Sequence, residues 1–340
     1  MGAFQGESMK EAMFYEKKDD KVQCLLCPHK CLIPDDKRGM CGVRENRKGV
    51  LYSLIYGGAS SITPDPIEKK PLYHFYPGST ALSFGTIGCN FRCLHCQNYS
   101  ISQAKYGDYP LERITPEEII SKAKKYNCKG IAWTYNEPTI WYEFTYDASK
   151  IAKEKNLYTV YVTNGYINEE PLKKIAPYLD AMNIDVKAFG DEFYKNVCSG
   201  SLEPVLKTVE TAKKLGIHVE LTYLVIPEHN DDEKEIKDFC RWTKNKVGSE
   251  TPVHFSRFYP HYKMGDVSPT PMGTMLKAYE IAKKELDYVY LGNVTHGEYE
   301  NTYCPKCKTL LIERHNFFVE KYNLEDSKCP SCGNPIPIKM

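Results

Sequence analysis

Between positions 80 and 294, apolar and polar residues alternate with two different periods. Short runs rich in β-branched and aromatic residues recur at 80–84, 130–134, 157–162, 181–186, 217–225, 253–258 and 288–291. Runs of this length and composition read as strands. The stretches between them have helical spacing. The clearest opens at Thr115-Pro116-Glu117-Glu118, with an N-cap, a proline at the first helical position and acids in the first turn. Ile119, Ile120 and Ala123 give that helix an apolar face. Further helices are predicted to begin near Asn168, Glu203, Asp231 and Met272. Strands alternating with helices predict a parallel sheet with right-handed crossovers. Five or six such units predict an α/β fold, a partial (β/α)6 barrel of the TIM type.

The alternation stops at both ends, which divides the chain into three predicted parts. Residues 1–62 form a cysteine-rich, metal-binding segment, 63–297 the barrel, and 298–340 a domain resembling a zinc ribbon. A stretch rich in proline and charge, Thr63-Pro64-Asp65-Pro66-Ile67-Glu68-Lys69-Lys70-Pro71, reads as the linker into the barrel. Residues 1–21 are polar and lack the apolar core of a signal peptide, so none is expected.

Composition changes this picture little. A hydrophobic fraction of 42% and a charged fraction of 26% describe an ordinary soluble protein. The net charge of +1 gives no footprint for nucleic acid or an anionic membrane. No apolar run approaches the roughly 20 residues that span a bilayer.

The 14 cysteines change it a great deal. A secreted disulfide scaffold is short and loop-rich, and this chain is neither, so a reducing cytoplasm is expected. Most of the cysteines fall into clusters with metal-ligand spacing. Cys128, Cys198 and Cys240 stand alone and read as small buried residues.

The central cluster is Gly88-Cys89-Asn90-Phe91-Arg92-Cys93-Leu94-His95-Cys96-Gln97-Asn98, placed just after the first strand. A zinc site wants four ligands, and only three cysteines are present here. Three thiolates can hold three irons of a [4Fe–4S] cluster and leave the fourth iron open, unlike an electron-transfer cluster closed by four cysteines. S-adenosylmethionine (SAM) is the natural ligand for an open iron, through its amino and carboxylate groups.

At the C-terminal end, Cys304, Cys307, Cys329 and Cys332 form two C-P-x-C knuckles. These predict a zinc ribbon, with rubredoxin-type iron as the rival. At the N-terminal end, Cys24, Cys27, Cys31 and Cys41 could close a site for zinc or for a second iron–sulfur cluster. Their spacing is not the ferredoxin run, and zinc is preferred.

The central cysteine run resembles the cluster motif of the radical SAM superfamily. Its continuation Cys96-Gln97-Asn98 resembles the pyruvate formate-lyase activating enzyme branch. Both cysteine-rich ends, Asp65-Pro66-Ile67-Glu68-Lys69-Lys70-Pro71-Leu72-Tyr73-His74, and Ser256-Arg257-Phe258-Tyr259-Pro260 are similar to the AmmeMemoRadiSam system radical SAM proteins. That family is named for its genomic association with AMMECR1-like and Memo-like proteins, which enter as possible partners. Tyr135-Asn136-Glu137-Pro138 stands where the family has Gly-Gly-Glu-Pro, which places Asn136 and Glu137 near the SAM ammonium. Thr163-Asn164-Gly165 is expected beside the ribose and methionine end. Val162 replaces the acid that precedes that motif in activating enzymes, so no cation site is expected.

Asp185 and Lys187 match the family's D-x-K. Lys187 could pair with the SAM carboxylate, or the two could neutralise each other. His254 is the closest match to a histidine that reaches the cofactor. His95 takes the place of an aromatic residue that packs near the adenine.

The resemblance implies reductive cleavage of SAM to a 5′-deoxyadenosyl radical that abstracts hydrogen from a protein or peptide. Ferredoxin or flavodoxin would supply the electron. Tyr73, Tyr76, Tyr99, Tyr135, Tyr259 and Tyr262 are candidates for a peptide-binding rim. Two alternatives stand beside this reading. One is a radical RNA-modifying enzyme that uses the ribbon as a grip. The other is a non-catalytic iron–sulfur or zinc interaction protein.

Overall fold

A computed structural model describes residues 9–295 and 297–340. Strands lie side by side in the order in which the chain supplies them. They are β1 (Ser61–Pro66), β2 (Thr80–Gly85), β3 (Gly130–Trp133), β4 (Tyr158–Thr163), β5 (Ala181–Asp185), β6 (His218–Val225), β7 (Val253–Arg257) and β8 (Val289–Gly292). From β2 to β8 every neighbouring pair is parallel, while β1 runs antiparallel to β2. The outer strands β1 and β8 do not pair with each other, so the sheet curves into a partial barrel without closing.

The crossovers carry α1 (Pro116–Lys125), α2 (Tyr142–Glu154), α3 (Glu169–Ile175), α4 (Leu202–Lys214), α5 (Glu233–Val247) and α6 (Met272–Lys283). At the start of α1 the predicted cap is a full capping box. Thr115 Oγ1 accepts from Glu118 N at 3.2 Å, and Glu118 Oε2 accepts from Thr115 N at 2.7 Å. The apolar face of that helix, Ile119, Ile120 and Ala123, is buried in the core between sheet and helices.

The segment 63–71, read from sequence as a linker, is the correction here. Its first half belongs to β1, and Ile67–Lys69 then makes a 3-10 turn. Proline cannot donate to a ladder, and Pro64 and Pro66 are accommodated because β1 is an edge strand.

The chain next passes across the N-terminal ends of the barrel strands and seals them. Asn183 Nδ2 donates to Pro71 O at 2.8 Å, and Glu220 accepts from Tyr73 N and His74 N at 3.0 and 2.7 Å. Leu72 and Phe75 pack there against Ala81, Ala132, Val160 and Ala181.

The C-terminal strands Thr302–Tyr303, Leu310–His315 and Phe318–Tyr322 form an antiparallel sheet beneath this seal. Leu311, Ile312 and Ile336 pack there on Tyr73, Tyr288 and Tyr290. Arg314, fully buried, ties the layers together. Its Nη2 donates to Tyr73 O at 2.7 Å, and its Nε lies 3.5 Å from Glu68 Oε1. With the base closed in this way, the opposite, C-terminal ends of the strands are left as the open face. Among the described residues no helix is long and apolar enough to cross a membrane.

Candidate active site

The open face holds a cleft of about 550 Å³, walled by the segments that follow β1 to β5 and by residues at the ends of β6, β7 and β8. Barrel enzymes place their chemistry at this end of their strands. The cysteine loop follows β2. Gly88 has φ +84°, and a Cβ there would stand 2.6 Å from Cys41 O, so only glycine makes this turn. Beyond it the loop is pinned by Arg92 N to Cys198 O at 2.8 Å and Leu94 N to Val197 O at 3.0 Å. Arg92 Nη1 also holds Cys89 O at 2.8 Å, and Arg92 Nη2 reaches Met40 O. Cys89, Cys93 and Cys96 all line the cleft.

After β3, Tyr135 sits at φ +71°, a left-handed conformation that costs a bulky residue energy. Its hydroxyl donates to Asp65 Oδ2 at 2.6 Å. Asn136 binds the cysteine loop from both ends of its amide: Oδ1 accepts from Thr86 N at 3.0 Å and Nδ2 donates to Gly88 O at 2.8 Å. It therefore braces the neighbouring turn.

Glu137 is 1% exposed and clamps the turn after β4. Its carboxylate accepts from Thr163 Oγ1 at 2.7 Å, Asn164 N at 2.8 Å and Thr139 N at 2.9 Å. Burial raises this carboxyl above its ordinary range, against the pull of those donors. Asn164 Nδ2 in turn meets Asn90 Oδ1 at 2.8 Å and lies 3.8 Å from Cys89 Sγ. A continuous set of hydrogen bonds thus links the loops after β2, β3 and β4.

Asp185 and Lys187 stand at the end of β5 and pair with each other, Nζ to Oδ2 at 2.9 Å. Burial works against the Lys187 charge, and the Asp185 carboxylate overrides it, holding the ammonium well above its usual range. Both remain on the cleft wall. They are therefore paired and also available to a ligand.

His254 lies elsewhere. It is on β7 but one layer below the cleft, sealed among Tyr73, Tyr290 and Glu220. Its Nε2 is 2.7 Å from Glu220 Oε2, and Ser256 is the β7 residue that reaches the cleft. The histidine expected at the cofactor is thus part of the barrel's base.

Lys69, Lys70 and Asn293 also line the cleft, a place the sequence reading did not assign to them. The two lysines arrive because β1 pairs with β2 and the chain then turns inward, a non-local event. Of the six tyrosines considered for a rim, Tyr99, Tyr259 and Tyr262 are exposed, while Tyr73 is buried in the base. Tyr99 and Tyr262 stack with ring centres 4.7 Å apart, and Lys263 N bonds to Leu94 O in the cysteine loop at 3.0 Å.

At the ribbon, the four sulfurs of Cys304, Cys307, Cys329 and Cys332 all lie within 4.8 Å of one another, a convergence suited to one metal ion.

A partial parallel barrel with three cysteines and a charged, hydrogen-bonded cleft at its open end defines an enzyme built around an iron–sulfur centre. Comparison with known proteins makes this specific. The family model described as the radical SAM superfamily matches residues 84–240. The uncharacterized protein MJ0808 of Methanocaldococcus jannaschii is 52% identical over 336 residues, covering 98% of this chain and 100% of that protein. The pyruvate formate-lyase 1-activating enzyme of Escherichia coli K12 is 22% identical over 209 residues, 59% of this chain and 81% of that enzyme. Among solved structures, SuiB of Streptococcus suis bound to S-adenosylmethionine superposes with a TM-score of 0.50 at 11% identity, covering 66% of this chain and 55% of that one. The chain carries a radical SAM superfamily domain over residues 84–240. That domain makes it an enzyme and implies a [4Fe–4S] cluster and SAM as cofactors.

The cleft fits those cofactors on its own chemistry. Its lining offers the three thiols of Cys89, Cys93 and Cys96, an ion pair for a zwitterion, and a buried imidazole, while a fourth thiol, Cys198, lies behind the wall in hydrogen-bond contact with Cys93. Among the described residues His95 Nδ1 has no hydrogen-bond partner, and burial lowers this histidine to about 3. A neutral ring with a free nitrogen can meet the edge of a purine.

Proposed function

We propose that Cys89, Cys93 and Cys96 hold the cluster, and that the cleft binds SAM for hydrogen abstraction from a protein or peptide substrate. When bound, the cluster and SAM supply one-electron cleavage to methionine and a 5′-deoxyadenosyl radical. The protein's own part is orientation and exclusion of water. Lys187 offers its charge to the SAM carboxylate, while Asp185 keeps that charge in place and faces the ammonium. Glu137 holds Thr163 and Asn164 so that their turn meets the methionyl end. Asn136 ties its own turn, next to Glu137, to the cysteine loop. His95 is the candidate adenine contact.

The observation that carries the substrate class is the mouth of the cleft. The exposed, stacked pair Tyr99–Tyr262 abuts the cysteine loop, and exposed Tyr259 contacts Asn293 O at 3.3 Å. Exposed aromatics around an active-site opening suit a polypeptide segment. The similarity to an activating enzyme supports the same class. Ferredoxin or flavodoxin as donor, AMMECR1-like and Memo-like partners, zinc in the ribbon and a cytoplasmic setting complete the proposal.

The test is isotope transfer. Reconstituted enzyme is given SAM, reductant and deuterated cell extract separated into protein, RNA and small-molecule fractions. Deuterium appearing in 5′-deoxyadenosine from the protein fraction is expected. Transfer from the RNA fraction instead would overturn the substrate class and favour the RNA-modifying alternative.

A further inference from the structure

The N-terminal cysteines lie directly behind the cysteine loop of the cleft. Cys24, Cys27, Cys31 and Cys41 line one closed, largely apolar cavity together with Ile33, Arg44 and Asn90. Asn90 is the residue after Cys89, and its backbone oxygen takes a 2.7 Å hydrogen bond with His29 Nε2. Cys41 O is the atom that forbids a side chain at Gly88. One wall therefore separates the four thiols from the catalytic loop, and it is a single residue layer thick at Asn90.

The spread of the sulfurs decides what the four can hold. Around one zinc ion with bonds of about 2.3 Å, tetrahedral sulfurs stand about 3.8 Å apart. Among the described residues the ribbon cysteines alone meet a 4.8 Å limit, and no three of the N-terminal four do. Cys89, Cys93 and Cys96 do not meet it either. In a cluster each cysteine binds a different iron, so its sulfurs stand wider than those sharing one ion. Neither the N-terminal four nor the catalytic three converge on a single point as the ribbon cysteines do. Their cavity is small, about 20 Å³, but covalent iron–sulfur bonds draw a cluster well inside contact distance of its ligands.

Charge agrees. Four thiolates around a cluster leave a net negative site, and Arg44, 1% exposed, stands in the cavity wall. It pairs with Glu143, Nη2 to Oε1 at 2.7 Å, yet among the described residues its Nε has no partner. A buried donor of this kind is costly when left unsatisfied, and a sulfur acceptor in the cavity would satisfy it.

We propose that Cys24, Cys27, Cys31 and Cys41 bind a second [4Fe–4S] cluster, packed against the catalytic loop through Asn90 and the Cys41–Gly88 contact. Its place suits electron delivery. One electron arrives from a low-potential donor of the ferredoxin or flavodoxin class and passes inward, with no bond made or broken at the cysteines. The proposal assumes the catalytic cluster at Cys89, Cys93 and Cys96, and its test keeps the two apart.

The full-length protein is reconstituted with iron and sulfide without oxygen, and both are counted together with zinc. About eight irons and eight sulfides per chain are expected, falling to about four in a Cys24→Ala/Cys31→Ala variant. A Cys89→Ala/Cys93→Ala/Cys96→Ala variant is expected to keep about four irons, with a reduced electron paramagnetic resonance signal that SAM does not alter. In the wild type the two reduced centres should broaden each other's signals. Four irons and two zincs in the wild type, or no cluster left in the triple variant while it stays folded, would overturn the second cluster. Loss of any SAM-responsive signal from Cys24→Ala/Cys31→Ala, with its iron retained, would instead overturn the catalytic assignment. Should either variant fail to fold, the wild-type count and its SAM-insensitive signal still decide.

Discussion

Lys70 Nζ stands 2.7 Å from Asp65 Oδ2 in the wall of the cleft, on the same carboxylate oxygen that takes the Tyr135 hydroxyl at 2.6 Å. Lys70 is 2% exposed, and its ammonium lies over the Tyr135 ring at 4.8 Å. Burial lowers the amine to about 8, with Asp65 pulling the other way. The Asp65 carboxyl, held below its usual range by Lys69, Lys70 and Tyr135 against burial, is ionised throughout the neutral range.

The sign of the resulting pH dependence follows. An unfolded lysine titrates near 10.4, so between about pH 8 and 10 the unfolded state binds more protons than the folded one. Lys70 therefore makes the protein gain stability with rising pH across that window. Lys70→Met is expected to abolish this gain and to cost about 2 kcal/mol at pH 7, because Asp65 keeps Lys69 and Tyr135. Urea titrations of both proteins from pH 7 to 10 measure it.

At the base of the barrel the sign is opposite. Glu220 is fully buried and takes His218 Nε2, His254 Nε2 and two backbone amides. Burial opposes its charge, but the two histidines hold the carboxyl well below its usual range. The stability it gives is complete above the unfolded value near pH 4 and is lost as the pH falls further. Glu220→Gln is expected to destabilise by about 3 kcal/mol at neutral pH, with the gap to wild type closing in acid. His254→Gln should lower stability as well, and leave the affinity for SAM unchanged. A tenfold weaker affinity would return His254 to the cofactor.

Glu137 accepts from three donors, two on Oε1 and one on Oε2, so each oxygen is already engaged. In Glu137→Gln one donor must face an NH₂ group, which disturbs the Thr163–Asn164 turn. SAM binding by calorimetry is expected to weaken at least about tenfold, or about 1.4 kcal/mol. The iron content should stay intact.

The ribbon sulfurs pair closely, Cys304 to Cys332 at 3.7 Å and Cys307 to Cys329 at 3.5 Å. One zinc per chain is expected, retained when Cys89, Cys93 and Cys96 are replaced and lost in Cys329→Ser. The ribbon covers Tyr73 and Tyr290, so Cys329→Ser should also lower the thermal midpoint by several degrees. Metal analysis with calorimetry checks both.

The strands, most helix starts and the placement of the cysteine loop were legible because each is a local pattern. Thr115 and Met272 mark their helices through capping chemistry and periodicity alone. The 63–71 segment was not, because two prolines imitate a linker when the strand they occupy lies on an edge. His254 shows a second limit. Alternation along β7 puts it on the same side as Ser256, but the period of two does not say which layer of the barrel each reaches. Lys70 shows a third, since only tertiary pairing brings it to the cleft. Asn136 and Glu137 line the cleft, and which of their atoms are already occupied is visible only in three dimensions.

The most direct measurement is product formation without oxygen. The reconstituted protein is given dithionite and SAM, and 5′-deoxyadenosine is assayed beside Cys93→Ala. Cys93 is the buried member of the three and belongs to no other cluster, so its loss should remove the activity and leave the ribbon metal. 5′-Deoxyadenosine from the wild type and none from Cys93→Ala is the expected result. Equal product from both, or none from a wild type whose cluster is intact and whose SAM is bound, would contradict the assignment of this cleft.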